Sequence, residues 1–258
     1  MKSGTFTKAI VRKPALSLGA GLTEAGLGSP DPELTAGQHR AYCDALRSCG
    51  VEVILLDAVE EYPDSTFVED PAVIMGGTAV ITRPGHPSRL GETGLIEPVL
   101  SRYLEIEKIS PPGRLDGGDV LEMDDRILIG ISDRTDIEGA EQLRFFANGA
   151  GFECATVPVP LGLHLKSGVS YLGEGIILAD SSIAGISEFS GMEVITVAEG
   201  EEYCANSIAA NGRILFPSGF PRTRAMLACA GLEVIELDMS EFRKMDGGLS
   251  CLSLRMNI

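Results

Sequence analysis

Apolar residues along this chain come in short paired runs separated by two or three turn residues. Glu69-Asp-Pro-Ala-Val-Ile-Met-Gly-Gly-Thr-Ala-Val-Ile-Thr82 holds the first pair, hinged at Gly76-Gly77. Such a pattern predicts a β-hairpin. It recurs over Gly118 to Gly130, turning at Asp124-Asp125, and over Ser167 to Ala179, turning near Gly173 to Gly175. A fourth copy covers Asn206 to Phe216 and turns at Asn211-Gly212. Helical and then strand-like segments follow each hairpin: Gly94 to Tyr103 and Ile106 to Ile109, then Ile137 to Asn148 and Phe152 to Val159. The third and fourth units continue with Ile183 to Phe189 and Glu193 to Val197, and with Arg222 to Ala230 and Leu232 to Leu237. Within Ile137 to Asn148, the positions Ile137, Ala140, Leu143 and Ala147 form a helical apolar stripe.

A fifth unit is divided between the two ends of the chain. Leu249 to Met256, with Cys251 at the start of an alternating strand, supplies its first strand, and Thr7 to Pro14 its second. Glu33 to Cys49 supplies its helix and Val51 to Leu56 its third strand. Repeats of roughly 40 to 50 residues indicate solenoids or propellers. A ring closed by the two terminal strands leaves no exposed edge. The predicted fold is therefore α/β: a five-bladed β/α propeller of ββαβ repeats, closed by pairing of the N- and C-terminal strands, with residues 1–258 forming one domain. A doubly wound sheet is the alternative, and the hairpin inside each unit argues against it.

Composition narrows the function. The 258 residues are 44% hydrophobic and 22% charged, as in an ordinary globular protein. A net charge of −16 argues against nucleic acid and against anionic membranes as partners, and suits a cationic ligand. The six cysteines, at 43, 49, 154, 204, 229 and 251, form no zinc-type spacing. The first eight residues lack a signal-like apolar core, so a cytoplasmic location with reduced thiols is expected. His39 and His86 are expected to be solvated, and neither a metal nor an organic cofactor is expected.

Polar residues stand at the start of the first strand in each unit: Glu69 and Asp70, Asp116 and Asp119, His164 and Lys166, Asn206, and Asp246 with Cys251. Fivefold pseudo-symmetry gathers them at one mouth of the ring. A Cys there can act as a nucleophile once its proton is removed. A His can carry protons near neutral pH, and carboxylates can hold a guanidinium.

These stretches resemble the dimethylarginine dimethylaminohydrolase family, within the guanidine-modifying penteins. The resemblance rests on Pro63-Asp-Ser-Thr-Phe-Val-Glu-Asp70, Ile81-Thr-Arg-Pro-Gly-His-Pro-Ser-Arg89, Leu115-Asp-Gly-Gly-Asp-Val120, Ile131-Ser-Asp-Arg-Thr135, Leu163-His-Leu-Lys-Ser167 and Asp246-Gly-Gly-Leu-Ser-Cys251, in this order. It implies Cys251 as nucleophile, His164 as general acid/base and Asp116 as the acidic partner of His164. It implies substrate contacts at Leu22, Asp64, Glu69, Asp70, Arg89, Arg134 and Met245, with the two Arg fixing the substrate and its α-carboxylate. The implied reaction hydrolyses Nω-methylated arginines to citrulline and methylamine or dimethylamine through a covalent thiouronium. The implied partner is a small guanidinium molecule, and homodimer formation stays open. Cys204 stands where the family pattern leads to Ala.

Two other readings compete: another guanidine hydrolase or deiminase of the arginine or agmatine type, and a non-catalytic pentein that binds or assembles. Finally, Gly19 to Gly28 has four Gly in ten residues beside the divided unit. This stretch is expected to act as a lid, with Leu22 over the bound substrate.

Overall fold

The computed structural model describes residues 4–159 and 162–258. Among the described residues, fifteen strands form five sheets of three. In chain order they are β1 (Lys8–Arg12), β2 (Glu52–Leu56), β3 (Ala72–Met75), β4 (Thr78–Ile81), β5 (Glu105–Lys108), β6 (Val120–Met123), β7 (Arg126–Ile131) and β8 (Glu153–Pro158). They continue as β9 (Val169–Gly173), β10 (Ile176–Ala179), β11 (Glu193–Thr196), β12 (Ile208–Ala210), β13 (Arg213–Pro217), β14 (Glu233–Leu237) and β15 (Leu254–Met256). Each sheet has an antiparallel hairpin and a third strand parallel to the hairpin's second: β3-β4-β5, β6-β7-β8, β9-β10-β11, β12-β13-β14 and β15-β1-β2. The last joins the two ends of the chain, with Lys8 opposite Met256 and Ile10 opposite Leu254.

The hairpins form where the pattern places them because their turns supply the needed backbone. Asn211 (φ 50) and Gly212 (φ 89) both take left-handed angles, which two-residue hairpin turns favour and Asn and Gly tolerate. Asp124 takes φ 57 for the same reason in the second unit.

Helices cover the crossovers. α1 (Pro32–Ser48) is capped by Asp31, whose Oδ1 accepts from Glu33 N and Leu34 N at 2.9 Å each. α2 is Thr93–Leu100, and α3 (Ile137–Gly149) is capped by Asp136, which accepts from Gly139 N at 2.9 Å. α4 (Leu165–Gly168), α5 (Pro221–Cys229) and α6 (Ser240–Arg243) complete the set.

The apolar core divides into five clusters, each filled from neighbouring sheets. The first strands of all five sheets line one axial cavity of about 190 Å³. No helix among the described residues is long and apolar enough to cross a membrane.

Four local expectations are corrected. Cys251 does not enter a strand: Ser250–Leu252 form a 3-10 turn and β15 begins only at Leu254. The third unit has turns and a short 3-10 segment at Ser187–Phe189 where a helix was expected, because too few residues separate β10 from β11. Ile137, at the first position of α3, is 53% exposed, while Ala140, Leu143 and Ala147 are fully buried. His39 is buried on the inner face of α1, and burial pushes its imidazole down to about 4.

Candidate active site

Asp246 takes a left-handed φ of 55 and turns the chain out of α6. Gly247 and Gly248 then pass so close to their neighbours that a Cβ on Gly248 would meet the Asn206 amide at 2.5 Å. The Gly-Gly pair serves this close approach. It delivers Cys251, partly exposed, with Gly248 N 3.4 Å from its Sγ. Burial, Glu69 and Asp70 push the thiol up to about 12.

His164 is the residue before α4 and is almost fully buried. Its Nε2 is 2.9 Å from Asp116 Oδ2 and 3.9 Å from Asp70 Oδ1. Asp116 has no exposed surface, and its other oxygen accepts from Gly85 N at 2.7 Å. Burial alone would lower the imidazole, but Asp70, the hydrogen bond to Asp116, and Asp119 outweigh it and raise it to about 9. Asp116 is correspondingly held below the usual carboxylate range: burial raises it, but the bond and charge of His164 prevail. Asp119 positions this corner, accepting from Ser132 Oγ at 2.7 Å, Thr135 Oγ1 at 2.6 Å and Leu165 N at 2.8 Å.

Gly118 shows how closely the corner is built. Its N donates to Asp70 Oδ1 at 3.0 Å, and an added Cβ would lie 2.7 Å from His164 Cγ and Nδ1. Gly118→Ala is expected to displace the imidazole, lowering kcat about tenfold or more while costing about 1–3 kcal/mol of stability, the usual range for overpacking. Steady-state kinetics beside denaturant unfolding check this, and wild-type kcat would contradict it.

A cavity of about 70 Å³ is lined by Cys251, His164 and the carboxylates of Asp64, Glu69 and Asp70. Leu22, Arg89, Arg134 and Met245 also line it, so the structure brings together every expected site residue except Asp116, which stands behind His164. The larger axial cavity has none of Cys251, His164 or Asp116 on its walls.

The two Arg differ in their surroundings. Arg89 is buried: it is ion-paired to Asp70, donates to Glu92 at 3.0 and 2.7 Å, and donates to the carbonyls of Asp64 at 3.2 Å and Phe67 at 3.0 Å. Arg134 is half-buried, and no ion pair engages its guanidinium among the described residues. Asp64 accepts from Leu22 N at 3.1 Å, which ties the Gly-rich segment to the cavity, and burial raises its carboxyl. Thr23 and Glu24 also bond Asp246, at 3.0 and 2.6 Å.

Several contributors escaped the sequence reading. Glu92 holds Arg89, Ser250 Oγ donates to Glu69 Oε2 at 2.8 Å, and Tyr203 OH donates to Gly247 O at 2.7 Å. Only Ser250, adjacent to Cys251, had a sequence signal. Cys204 is a core thiol, buried and pushed up to about 12 by that burial.

Asp70, Asp116 and His164 each bring a ligand-type atom within 4.8 Å of the others. Their lone pairs already serve Arg89, Gly118 N, Gly85 N and one another.

A family model, "N,N dimethylarginine dimethylhydrolase, eukaryotic", matches residues 32–252. The chain is 43% identical to the N(G),N(G)-dimethylarginine dimethylaminohydrolase of Pseudomonas aeruginosa over 252 residues, covering 97% of this chain and 99% of that one. The Pseudomonas aeruginosa enzyme, solved as a cysteine-to-serine mutant complexed with citrulline, superposes with a TM-score of 0.95 at 43% identity, covering 98% and 100% of the two chains. A histidine-to-glycine form of dimethylarginine dimethylaminohydrolase, solved as an adduct with S-methyl-L-thiocitrulline, matches with TM-score 0.95 at 43% identity over 97% and 100%. Fold and site thus define a hydrolase acting on C–N bonds of the amidine type. This chain belongs to the dimethylarginine dimethylaminohydrolase family.

Proposed function

We propose that the chain forms one catalytic domain, a five-bladed β/α propeller, that hydrolyses Nω-methylated arginines to citrulline and methylamine or dimethylamine. The observation that carries this reading is a single cavity shared by Cys251, His164 and three carboxylates, with Arg134 at its wall.

Cys251, His164 and Asp116 are the catalytic groups. With the thiol at about 12, the empty site keeps its proton on sulfur. A guanidinium bound by Glu69 and Asp70 brings positive charge beside Sγ, offsets both carboxylates and favours the thiolate as the proton passes to solvent. The thiolate attacks the guanidinium carbon and forms a C–S bond. His164, at about 9, is an imidazolium at neutral pH and gives a proton to the departing amine as the C–N bond breaks. A thiouronium remains on Cys251. Neutral His164 then takes a proton from water and the hydroxide adds to the same carbon; the adduct's hydroxyl gives its proton to solvent as the C–S bond breaks, releasing citrulline and the thiolate. Asp116 holds the ring and offsets its charge throughout. Leu22 and Met245 close over the substrate, with Leu22 part of a lid that excludes water during attack.

Arg89, occupied by Asp70 and Glu92, orients the Asp70 carboxylate. Arg134, half-buried and outside the ion pairs of the described residues, holds the substrate's α-carboxylate through its donor fork. Arg134→Ala is expected to weaken kcat/KM for methylarginine by about 2–5 kcal/mol and to affect agmatine, which has no carboxylate, far less. Equal losses on both would assign Arg134 a structural role.

Citrulline formation from arginine, monomethylarginine and asymmetric dimethylarginine, with the released amine identified, tests the whole proposal. Turnover of the methylated substrates is expected to exceed that of arginine. A preference for arginine or agmatine would move the chain to the deiminase reading.

A further inference from the structure

The substrate cavity and the axial cavity share a wall: Glu69, Lys166 and Ser250 line both. Glu69 is the centre of that wall. Its Oε1 accepts from Lys166 Nζ at 2.6 Å and from Arg255 Nη2 at 2.9 Å, and its Oε2 accepts from Ser250 Oγ at 2.8 Å. One carboxylate thus meets two cations on its outer side and the substrate cavity on its inner side.

The two cations are not equivalent. Arg255 lies on β15, lines the axial cavity and is fixed by Ser250 O and Ser253 Oγ at 3.2 Å each. Lys166 reaches the substrate cavity as well, and its backbone ties the two reacting loops together. Its carbonyl accepts from Asn206 Nδ2 at 2.7 Å, and Asn206 Oδ1 accepts from Ser250 N at 2.9 Å. Lys166 is two residues from His164, and Ser250 is the neighbour of Cys251.

We propose that Lys166 is a positioning residue for the reaction: its ammonium fixes Glu69 and offsets the negative charge facing Cys251. The proposal rests on Cys251 being the nucleophile. Glu69 and Asp70 disfavour the thiolate, while Lys166 favours it. Arg255 and Tyr203 also act on this thiol, and His164, Asp64, Arg89, Arg134 and Asp246 line the same cavity. Removing the ammonium leaves Glu69 facing Sγ with one cation fewer, its carboxylate still held by Arg255 and Ser250. Lys166 touches neither His164 nor Asp116 through any hydrogen bond, so its loss acts on the sulfur side of the site.

The test follows alkylation of Cys251 by iodoacetamide in substrate-free enzyme, site-resolved by mass spectrometry between pH 7 and pH 10. Lys166→Met is expected to alkylate about threefold to tenfold more slowly at each pH below the thiol's pKa, the effect of one nearby charge on the thiolate fraction. Lys166→Gln, which keeps a donor for Glu69 without the charge, should be equally slow if the first variant folds poorly. Lys166→Arg should restore the wild-type rate. Glu69→Gln, which removes the opposing charge, should alkylate faster than wild type. Wild-type alkylation rates in folded Lys166→Met or Lys166→Gln would overturn the proposal, and so would failure of Lys166→Arg to restore them. Because no substrate is present, the result stands apart from the methylarginine reading, which fails separately if normally alkylated enzyme forms no citrulline.

Discussion

Cys251→Ser is expected to lower citrulline formation from methylated arginine by about 10⁴-fold or more, because an alcohol in this site is a far poorer nucleophile than a thiolate. Folding should be retained, since among the described residues Sγ receives only the Gly248 N at 3.4 Å and Cys251 lies in a 3-10 turn outside the strands. Substrate should still bind, because Glu69, Asp70 and Arg134 are untouched. Citrulline assay with a ligand-binding measurement on the same protein separates these effects. Substantial turnover by the folded variant would remove Cys251 from the mechanism and leave the other five thiols to be tested by labelling.

His164→Gly is expected to lower turnover by about 10²–10⁴-fold, the range for loss of a positioned proton carrier, while substrate binding persists. Without the imidazole to activate water, the thiouronium on Cys251 should persist long enough to be detected by intact-protein mass spectrometry. Near wild-type turnover across pH 5 to 9 would exclude His164 as the acid/base.

The same histidine has a stability signature. Its folded-state value of about 9 lies above the ordinary imidazole value of 6.5. The folded state therefore binds the proton more tightly, and the resulting stabilisation is complete below the unfolded value. It is lost as pH rises through the folded value, and amounts to at most about 3 kcal/mol for the His164–Asp116 pair taken together. The stability difference between wild type and His164→Gln should accordingly shrink between pH 6 and pH 9.5. Denaturant unfolding at both pH values reads it, and a constant difference would mean that the pair does not hold the proton.

The site shows why buried polar groups need partners on several sides. Asp116, Asp119, Asp70 and Arg89 are all almost fully removed from solvent, and each carries hydrogen bonds to backbone or side chains. Truncating one member of such a set leaves its partner unsatisfied, which costs more than the bond itself contributed. Arg89→Ala would expose Asp70 and Glu92 to each other without their shared cation, so its effect on activity would be mixed with an effect on folding.

Much of this architecture was legible in the sequence because it is local. Hairpins at Gly76-Gly77, Asp124-Asp125 and Asn211-Gly212 follow from alternating apolar residues and turn chemistry within about a dozen positions. The helix Ile137–Gly149 follows from its apolar spacing, and Pro32–Ser48 falls on the expected segment Glu33 to Cys49. The fifth sheet was legible too, because strands at the two ends lacked partners within their own segments. The resemblance named Cys251, His164, Asp116 and the lining residues of the cavity, and the fold places them at one site.

What the sequence could not settle depends on packing between distant segments. A period-2 pattern cannot say that Cys251 sits in a 3-10 turn, because that is decided where Gly248 meets Asn206 and Gly247 meets Phe67. Two Arg of the same kind look alike in a sequence. Only burial beside Asp70 and Glu92 makes one a holder of carboxylates, while the other stands half-buried at the cavity wall. His39, polar and on a helix, reads as solvated until the inner face of that helix is known. Local chemistry determined the repeats of this protein, and tertiary contacts decided which of its charges are paired in the interior and which line the cavity.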